Sequence, residues 1–405
     1  MAKRILIYTN HFYPEQFKVN EIVDWLSLEG HKIRVITGIP NYPEGKFYKG
    51  YGFRSIIGEK YDSNTIINRL PLTPRGSGSK ILLLFNYLTY FISCFWFTIY
   101  LIVFKKKYDY VFVHHTSPIL IAINPIMYKI IYNSKMILWD LDIWPETLEA
   151  IGVIKSNKVL RILKRIIKFI YSFYDKLLLS SNALIKILED RYLGEIIFFP
   201  NWAEKVIEEN QSIESFPLLK NERRFKIMYT GNIGYAQNFE SLIPTMIKLK
   251  GEDIVWIFIG DGRFKEKFEK LINEKALQES TLFISQKPIS EIPSYIKYAD
   301  IMYLSLRDEF IFNNTIPAKL QSYMALAKPI IGLTKGEGNR IIVESGCGIV
   351  ENNYNFANLS KIILDLKNLP EEELIYMGLK GKDFYDRFFS QRKRKMQLME
   401  IINNL

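Results

Sequence analysis

Three short segments in the second half of the chain carry residues suited to holding an anion. Tyr229-Thr230-Gly231-Asn232-Ile233-Gly234 reads as a strand running into a glycine-containing turn and then a helix start. Such a turn presents backbone N–H groups and the positive end of a helix dipole, which favours a phosphate or a developing negative charge. Gly231 and Gly234 would let the backbone approach a ligand closely, although the same turn can be purely structural. Ile259-Gly260-Asp261-Gly262-Arg263 is a second turn after the next strand, with Arg263 and Lys265 placed to reach a diphosphate. In the third, Ile316-Pro317-Ala318-Lys319, the proline suits a helix start and drops Lys319 into the first turn. A cation there opposes the helix dipole and calls for an anion nearby.

The first half offers a different set. Trp139-Asp140-Leu141-Asp142-Ile143-Trp144-Pro145-Glu146 sits at the end of an apolar run, as do His114, His115, Thr116 and Ser117, and as do Asn10, His11 and Glu15. Ligands in open α/β sheets bind beyond the carboxyl ends of strands, so three strand ends bring polar groups to one edge. Asp140-Leu141-Asp142 has the spacing of a metal-binding triplet, but such triplets are common by chance. The four histidines are too few and too scattered for a zinc site. The turn after the first strand contains no glycine, so the G-x-G-x-x-G that seats a dinucleotide is absent. That argues against a dehydrogenase whose cofactor sits on this half.

The elements that must position these residues alternate. Arg4–Thr9, Lys32–Thr37, Thr65–Leu70, Tyr110–His115, Lys135–Leu141 and Lys176–Ser180 read as strands, several of them apolar at consecutive positions as in doubly covered sheets. Val19, Ile22, Val23 and Leu26 have helical spacing, and Gly30 stops that helix. A polar stretch follows Pro200, after which Phe225–Thr230, Ile254–Ile259, Thr281–Ser285, Ile301–Leu306 and Pro329–Leu333 read as strands and Gln237–Leu249 as a helix. The expectation is α/β: two doubly wound Rossmann-like domains facing each other across a cleft. The boundaries are 1–200, a linker at 201–224, a second domain at 225–383, and a C-terminal helix at 384–405 crossing back to the first.

Composition excludes a disordered, collagen-like or disulfide-built chain: 48% of the 405 residues are hydrophobic and there are two cysteines, so a reducing compartment is expected. Met1–Arg4 running straight into Ile5–Tyr8 reads as too short for a signal peptide. Residues 1–190 hold 25 Lys and Arg against 15 Asp and Glu, while the remainder is nearly balanced. Such asymmetry suggests a nucleic acid or an anionic membrane beside the first half. No nucleic-acid-binding motif is recognisable, so no nucleic-acid partner is expected. Ile81–Phe104 has no charge over 24 residues, long enough to span a bilayer. Spanning would split one sheet between two sides of the membrane, so a helix lying on the membrane, or buried against the first domain, fits better. Lys155–Lys168 alternates a basic stripe with an aliphatic face, as an interfacial helix does, or as a solvated face over a core does.

Taken in order, these segments resemble the family-4 retaining glycosyltransferases of the GT-B fold, in the bacterial branch that builds capsule, O-antigen and similar surface polysaccharides. The matching residues are Tyr13-Pro14-Glu15, Glu29-Gly30-His31 through Thr37, Asp142-Ile143-Trp144-Pro145-Glu146-Thr147, Pro200-Asn201, Gly231-Asn232-Ile233-Gly234, Gly260-Asp261-Gly262, and Pro317-x-Lys319 with Tyr323-Met324-Ala325. The resemblance implies a nucleotide-sugar donor, a UDP-sugar in the first instance, bound by Gly231, Asn232, Gly234, Gly260, Arg263, Pro317, Lys319 and Ser322. It implies a lipid-linked saccharide acceptor near Asn10, His11, Glu15 and Glu146, and transfer with retention and without a metal or cofactor. Asp142, His114 and Lys319 are the residues expected to act in catalysis. The family's Glu-x7-Glu pair would fall at 314 and 322, where this chain has Asn314 and Ser322; Asp308 or Glu309 is the candidate stand-in for the first. The cationic residues that many members place after the glycine turn are also missing at Tyr235-Ala236-Gln237. The expected protein is a peripheral enzyme on the cytosolic face of the plasma membrane. A nucleotide-sugar epimerase of the same fold, or a non-catalytic nucleotide-sugar-binding subunit, are the alternatives.

Overall fold

A computed structural model describes residues 2–150, 152–209 and 216–405. The chain divides into two units, 1–199 with 397–405, and 200–396. Residues 210–215 of the expected linker lie outside the described residues; its remainder, including the Lys205–Glu208 helix with buried Ile207, belongs to the second unit.

The first unit is built on β1 (Arg4–Thr9), β2 (Lys32–Gly38), β3 (Ile56–Lys60), β4 (Thr65–Leu70), β5 (Tyr110–His115), β6 (Lys135–Asp140), β7 (Lys176–Leu179) and β8 (Glu195–Phe198). Their order across the sheet is β3-β4-β2-β1-β5-β6-β7-β8. All neighbours pair in parallel except β3 with β4. β3 and β8 were not expected from the sequence. β3 carries Gly58 at φ +80 where its register shifts and has no apolar run, whereas β8 lies in a short one, Ile196-Ile197-Phe198-Phe199, that sequence reading passed over. Chain order reverses direction between β1 and β5, where the register sets Thr9 beside His114 and, one strand further, His115 beside Asp140.

Helices cover both faces because each has one apolar stripe. Lys18–Leu28 buries Val19, Ile22, Val23 and Leu26, and Gly30 follows it at φ +81, a left-handed position suited to glycine. The long Lys80–Val103 helix is capped by Ser79, whose hydroxyl accepts from the Leu82 amide. It buries Asn86, Tyr90, Cys94, Phe97, Thr98 and Leu101 against the sheet. Tyr90 donates to the Thr9 carbonyl at 2.7 Å, and Thr98 Oγ1 lies 3.0 Å from the Tyr8 hydroxyl.

The second unit carries β9 (Phe225–Thr230), β10 (Ile254–Ile259), β11 (Thr281–Ile284), β12 (Ile301–Ser305), β13 (Ile330–Leu333) and β14 (Gly348–Val350), ordered β11-β10-β9-β12-β13-β14 and all parallel. Its core gathers Tyr229, Phe239, Trp256, Phe258, Phe268 and Tyr303 among others. Here the direction of strand order reverses between β9 and β12, and in such sheets the crevice for a ligand opens at that point.

One expected element is corrected. The segment after Gly234 is not a single helix from Gln237. It forms 3-10 turns at Tyr235–Gln237 and Phe239–Leu242, separated by Asn238 at φ +50, and becomes α-helical only over Ile243–Lys248. A left-handed residue cannot continue a helix, and Pro244 is compatible only with a helix beginning beside it. The apolar residues Phe239, Leu242, Ile243 and Met246 still face the core, which is what the helical spacing had detected.

Candidate active site

A cavity of about 510 Å³ opens at the carboxyl edge of the second unit's sheet. It is reached from three strand ends: Thr230, Gly231 and Asn232 after β9, Gly260 and Asp261 after β10, and Gln286 to Ile289 after β11. The fourth wall is the start of the Ala318–Ala325 helix, with Ala318, Lys319, Ser322 and Tyr323. Pro317 is its N-cap residue, in an extended conformation.

Two glycine turns are pressed together here, and this explains Gly260. Its φ is +152, and a Cβ built on it would lie 1.9 Å from the Gly231 carbonyl oxygen. A Cβ on Gly262 would similarly meet the Ile233 carbonyl oxygen at 2.4 Å. Backbone bonds tie the loops: Gly231 N–H to Ile259 O and Ile233 N–H to Asp261 O, each 2.8 Å. These glycines therefore serve loop-to-loop packing. Gly231 itself, at φ +114, faces Lys319: its Cβ would come within 2.7 Å of the lysine Cε.

The expected cradle of backbone donors is corrected by the same bonds. Gly234 gives its N–H to the Gln237 side chain at 3.0 Å, Gly260 to Ile284 O at 3.0 Å, and Gly262 to the Asp261 carboxylate at 2.7 Å. Without a regular helix after Gly234, no helix dipole points from that turn. The dipole that does reach the cavity is that of Ala318–Ala325.

Lys319 is the chemically unusual group. Burial holds its ammonium at a pKa of about 8, below the ordinary lysine value. Its Nζ stands 5.3 Å from the Tyr229 ring centroid, and among the described residues no carboxylate pairs with it. Tyr229 is fully buried and the Tyr323 hydroxyl is locked at 3.1 Å from the Thr230 amide, so the surface beneath the lysine is rigid. A desolvated cation without a counterion is costly, and an anionic ligand relieves that cost. Lys287, in the loop after β11, is a second cation in the lining. Sequence reading passed over it, although the rule that ligands sit beyond strand carboxyl ends pointed to the residues after β11. Glu204 and Asp261 supply carboxylates to the same lining.

Of the donor-side residues expected, Gly231, Asn232, Gly260, Lys319 and Ser322 meet in this cavity. Gly234, Arg263 and Pro317 are not in its lining. Arg263 is exposed. The stand-ins for the missing carboxylates are also elsewhere: Asp308 pairs with Lys335 at 2.5 Å, and Glu309 is exposed ahead of the Phe310–Asn314 helix.

In the first unit the expected residues gather at the carboxyl edge, but most are engaged internally. Glu15 is 2% exposed and accepts from the Asn41 and Tyr42 amides, each 2.7 Å, and from His11 Nδ1 at 2.8 Å. His11 stacks on Phe17 at 4.6 Å. Asn10 donates to Ser117 O at 2.8 Å. His114 is 1% exposed, sits 2.9 Å from Thr9 Oγ1, and burial lowers its pKa to about 3. A base so weak and so enclosed does not suit proton abstraction near neutral pH, which corrects the catalytic role expected of it. Burial raises the pKa of Glu146, but Arg191 at 2.6 Å and Lys164 at 3.2 Å more than offset this, and the net direction is down. Glu146 thus braces two basic segments.

Asp140 is fully buried, bonded to His115 Nδ1 at 2.7 Å and to the Tyr171 hydroxyl at 2.5 Å. Burial alone would raise its pKa; His115 and these bonds bring it below the ordinary value. Asp142 is half-buried, and it accepts from the Ser117 hydroxyl, which in turn accepts from Trp144 Nε1 at 2.9 Å. The two carboxylates of the triplet are thus committed to separate partners. Among the described residues no group of three or more His, Cys, Asp or Glu is disposed to hold a metal.

Residues 210–382 match the family described as "Glycosyl transferases group 1". With two Rossmann-like sheets, parallel apart from the β3–β4 pair, the chain has the GT-B fold, and residues 210–382 are similar in sequence to the group 1 glycosyltransferases. Among individual proteins it is similar to "Probable glycosyltransferase WbjE" of Pseudomonas aeruginosa, 28% identical over 243 residues; the match takes in 58% of this chain and 60% of that protein's length. It is 22% identical over 341 residues to the "Putative colanic acid biosynthesis glycosyl transferase WcaI" of Escherichia coli, covering 80% and 81% of the two chains. In fold it resembles an alpha,alpha-trehalose-phosphate synthase of Burkholderia vietnamiensis, with a TM-score of 0.73 over the whole of both chains at 11% identity. None of these three is described as an epimerase.

Proposed function

We propose that the protein transfers a sugar from a nucleotide-diphosphate sugar, a UDP-sugar first, to a lipid-diphosphate-linked saccharide, with retention at the anomeric carbon. The observation that carries this reading is Lys319: a cation held at a lowered pKa of about 8 at a helix N-terminus, in a cavity of about 510 Å³ with Lys287 in its lining. A sugar diphosphate bound there meets an ammonium and a helix dipole together. When the bond to the sugar breaks, negative charge grows on the leaving diphosphate, and preorganised positive charge in a partly desolvated site stabilises that state most. Glu204 and Ser322, in the same lining, are suited to the hydroxyls of ribose or sugar, in place of the carboxylate that the chain lacks at 322. Asp142 is assigned to orient or deprotonate the acceptor hydroxyl. Retention, the lipid-linked acceptor and a role in surface polysaccharide synthesis follow from the resemblance, and the printed name of the Escherichia coli relative, a putative colanic acid biosynthesis glycosyl transferase, supports the last of these.

The location proposed is the cytosolic face of the plasma membrane. Among the described residues, Lys80–Val103 is the one helix long and apolar enough to cross a bilayer. Its sheet-facing side is packed into the first unit, so it is assigned to lie against the membrane rather than through it. Ile81, Phe85, Leu88, Ile92, Trp96, Tyr100 and Val103, three or four residues apart, form an exposed apolar stripe on its other side. The Asn157–Tyr171 helix adds exposed Val159, Ile162, Ile166 and Phe169 among its basic residues.

The test is direct. Lys319→Ala should abolish UDP binding by calorimetry and transfer to a lipid-linked acceptor while leaving the far-UV spectrum unchanged. Near-normal UDP affinity in that variant would remove the basis of the reading.

A further inference from the structure

A second cavity, about 620 Å³, lies at the opposite, amino-terminal edge of the first unit's sheet, and none of the residues expected at the acceptor edge is in its lining. Parallel strands put their starts on one edge and their ends on the other, and six residues separate the two by about 17–20 Å. Arg4 of β1 pairs with Lys32 of β2, and Ile33 with Thr65 of β4, so these starts form one rim. The lining is strongly basic: Lys32, Arg34, Lys60 and the run Lys105, Lys106 and Lys107. Among the described residues none of these six is in an ion pair. Arg34 is fixed by neutral groups, the Tyr108 hydroxyl at 2.5 Å and Asn68 Oδ1 at 3.1 Å, which aligns a guanidinium without neutralising it. Asp62 is the one carboxylate in the lining, against seven cations there, and it and the acids nearby are held by hydrogen bonds or an ion pair. Asp62 accepts from the Asn64 and Thr65 amides at 2.7 Å, Asp109 from the Arg4 amide at 2.7 Å, and Glu59 binds Arg69 at 2.6 Å.

The three lysines follow directly on the Lys80–Val103 helix. Along that helix runs an apolar groove of about 460 Å³, walled by Trp96, Phe97 and Tyr100 on the helix and by Ile57 and Leu70 on β3 and β4. β3 lies between the two: Ile57 lines the groove, and Gly58 and Lys60 line the basic cavity. The groove and the cavity are neighbours along the chain: Ile57 and Gly58 are consecutive on β3, and Tyr100 and Lys105 are five residues apart at the end of the helix. An apolar groove beside cations that form no ion pair among the described residues matches an amphiphile with a hydrocarbon tail and an anionic head. We propose that this is a binding site for a single phosphate-bearing lipid, its phosphate among Arg34 and Lys105–Lys107 and its chain against Trp96 and Tyr100. The site is separate from both the donor cavity and the acceptor edge. It rests on the membrane-face reading only for the source of the lipid.

The experiment uses the full chain with soluble short-chain phosphatidylglycerol, glycerol phosphate and inorganic phosphate as probes, followed by calorimetry, with no membrane present. The short-chain lipid should bind at least about tenfold more tightly than either free anion, because only it fills the groove. Lys105→Ser with Lys106→Ser and Lys107→Ser, all at exposed positions that leave the core untouched, should weaken it at least about tenfold; Arg34→Gln should do the same. Equal affinity for the lipid and for inorganic phosphate would overturn the lipid assignment. Unchanged binding in both variants, or no binding of any probe, would overturn the site. In those last cases, co-sedimentation of the wild type with phosphatidylglycerol vesicles would show the membrane-face reading surviving without it.

Discussion

Lys319 draws its importance from what surrounds it rather than from its type. Burial brings its pKa to about 8, so the ammonium is present below that pH and is lost above it. A bound diphosphate favours the charged form, so UDP should bind more tightly at pH 7 than at pH 9.5, with the fall centred near 8. Linkage gives the opposite slope to the free protein. The unfolded lysine titrates near 10.4, so between about pH 8 and 10.4 the unfolded chain binds more protons, and this residue adds stability to the fold as pH rises there. Calorimetric UDP affinity across that range checks the first statement; Lys319→Arg should flatten the pH profile, since arginine stays charged. Turnover in Lys319→Ala should fall by about a hundredfold or more, the size expected when a charge-stabilising donor is removed. At this scale the sequence was informative about Lys319, whose place after Pro317 set it in a first turn. It misled for Arg263 and His114, because exposure and burial are not written in residue type.

Elements carry the next level of argument. The turns after β9 and β10 are held against each other by three backbone bonds and need Gly260 where a Cβ would strike the Gly231 carbonyl. Gly260→Ala meets both a left-handed φ and that clash, so it should destabilise the protein by about 2–4 kcal/mol and weaken UDP binding with it. A thermal melt with and without UDP reads both effects. The glycine pattern was legible from sequence, but not all of its purpose: Gly260 lines the cavity and also makes a contact between loops 29 residues apart in the chain. The Asn157–Tyr171 helix is the element through which charge would meet a membrane. Lys164 is tied to Glu146, so the charges to reverse are taken from those in no ion pair among the described residues, Arg161 and Arg165. Arg161→Glu with Arg165→Glu should reduce low-salt co-sedimentation with phosphatidylglycerol vesicles by about tenfold or more; an unchanged bound fraction would place membrane contact elsewhere.

On the scale of the whole molecule, each sheet reverses strand order once, between β1 and β5 and between β9 and β12, and the expected functional residues collect at these two points. This is a property of topology: neighbouring loops there leave on opposite faces of the sheet and open a crevice. The proposed transfer assigns the diphosphate to lysines and a helix end rather than to a divalent ion. Activity in EDTA should therefore match that without it, and a large loss would show that the diphosphate is carried by a metal. UDP at a hundred times its dissociation constant should stabilise the native state by about 2.7 kcal/mol, seen as a higher unfolding midpoint that Lys319→Ala eliminates.

By itself the sequence determined the class of fold and the position of nearly every central strand. Runs such as Ile254–Ile259 and Tyr110–His115 are apolar at almost every position, and only strands covered on both faces require that. It also marked Gly231, Lys319 and the Ile81–Phe104 run, where local chemistry alone restricts the backbone or the surroundings. Only the tertiary structure decided which amides were already bonded, that Lys287 and Glu204 join Lys319 in one cavity, and that Lys105–Lys107 line a basic cavity with residues of β1, β2 and β4. Those facts depend on residues far apart in the chain meeting in space, and a linear pattern holds no record of a partner until the sheet order brings the two together.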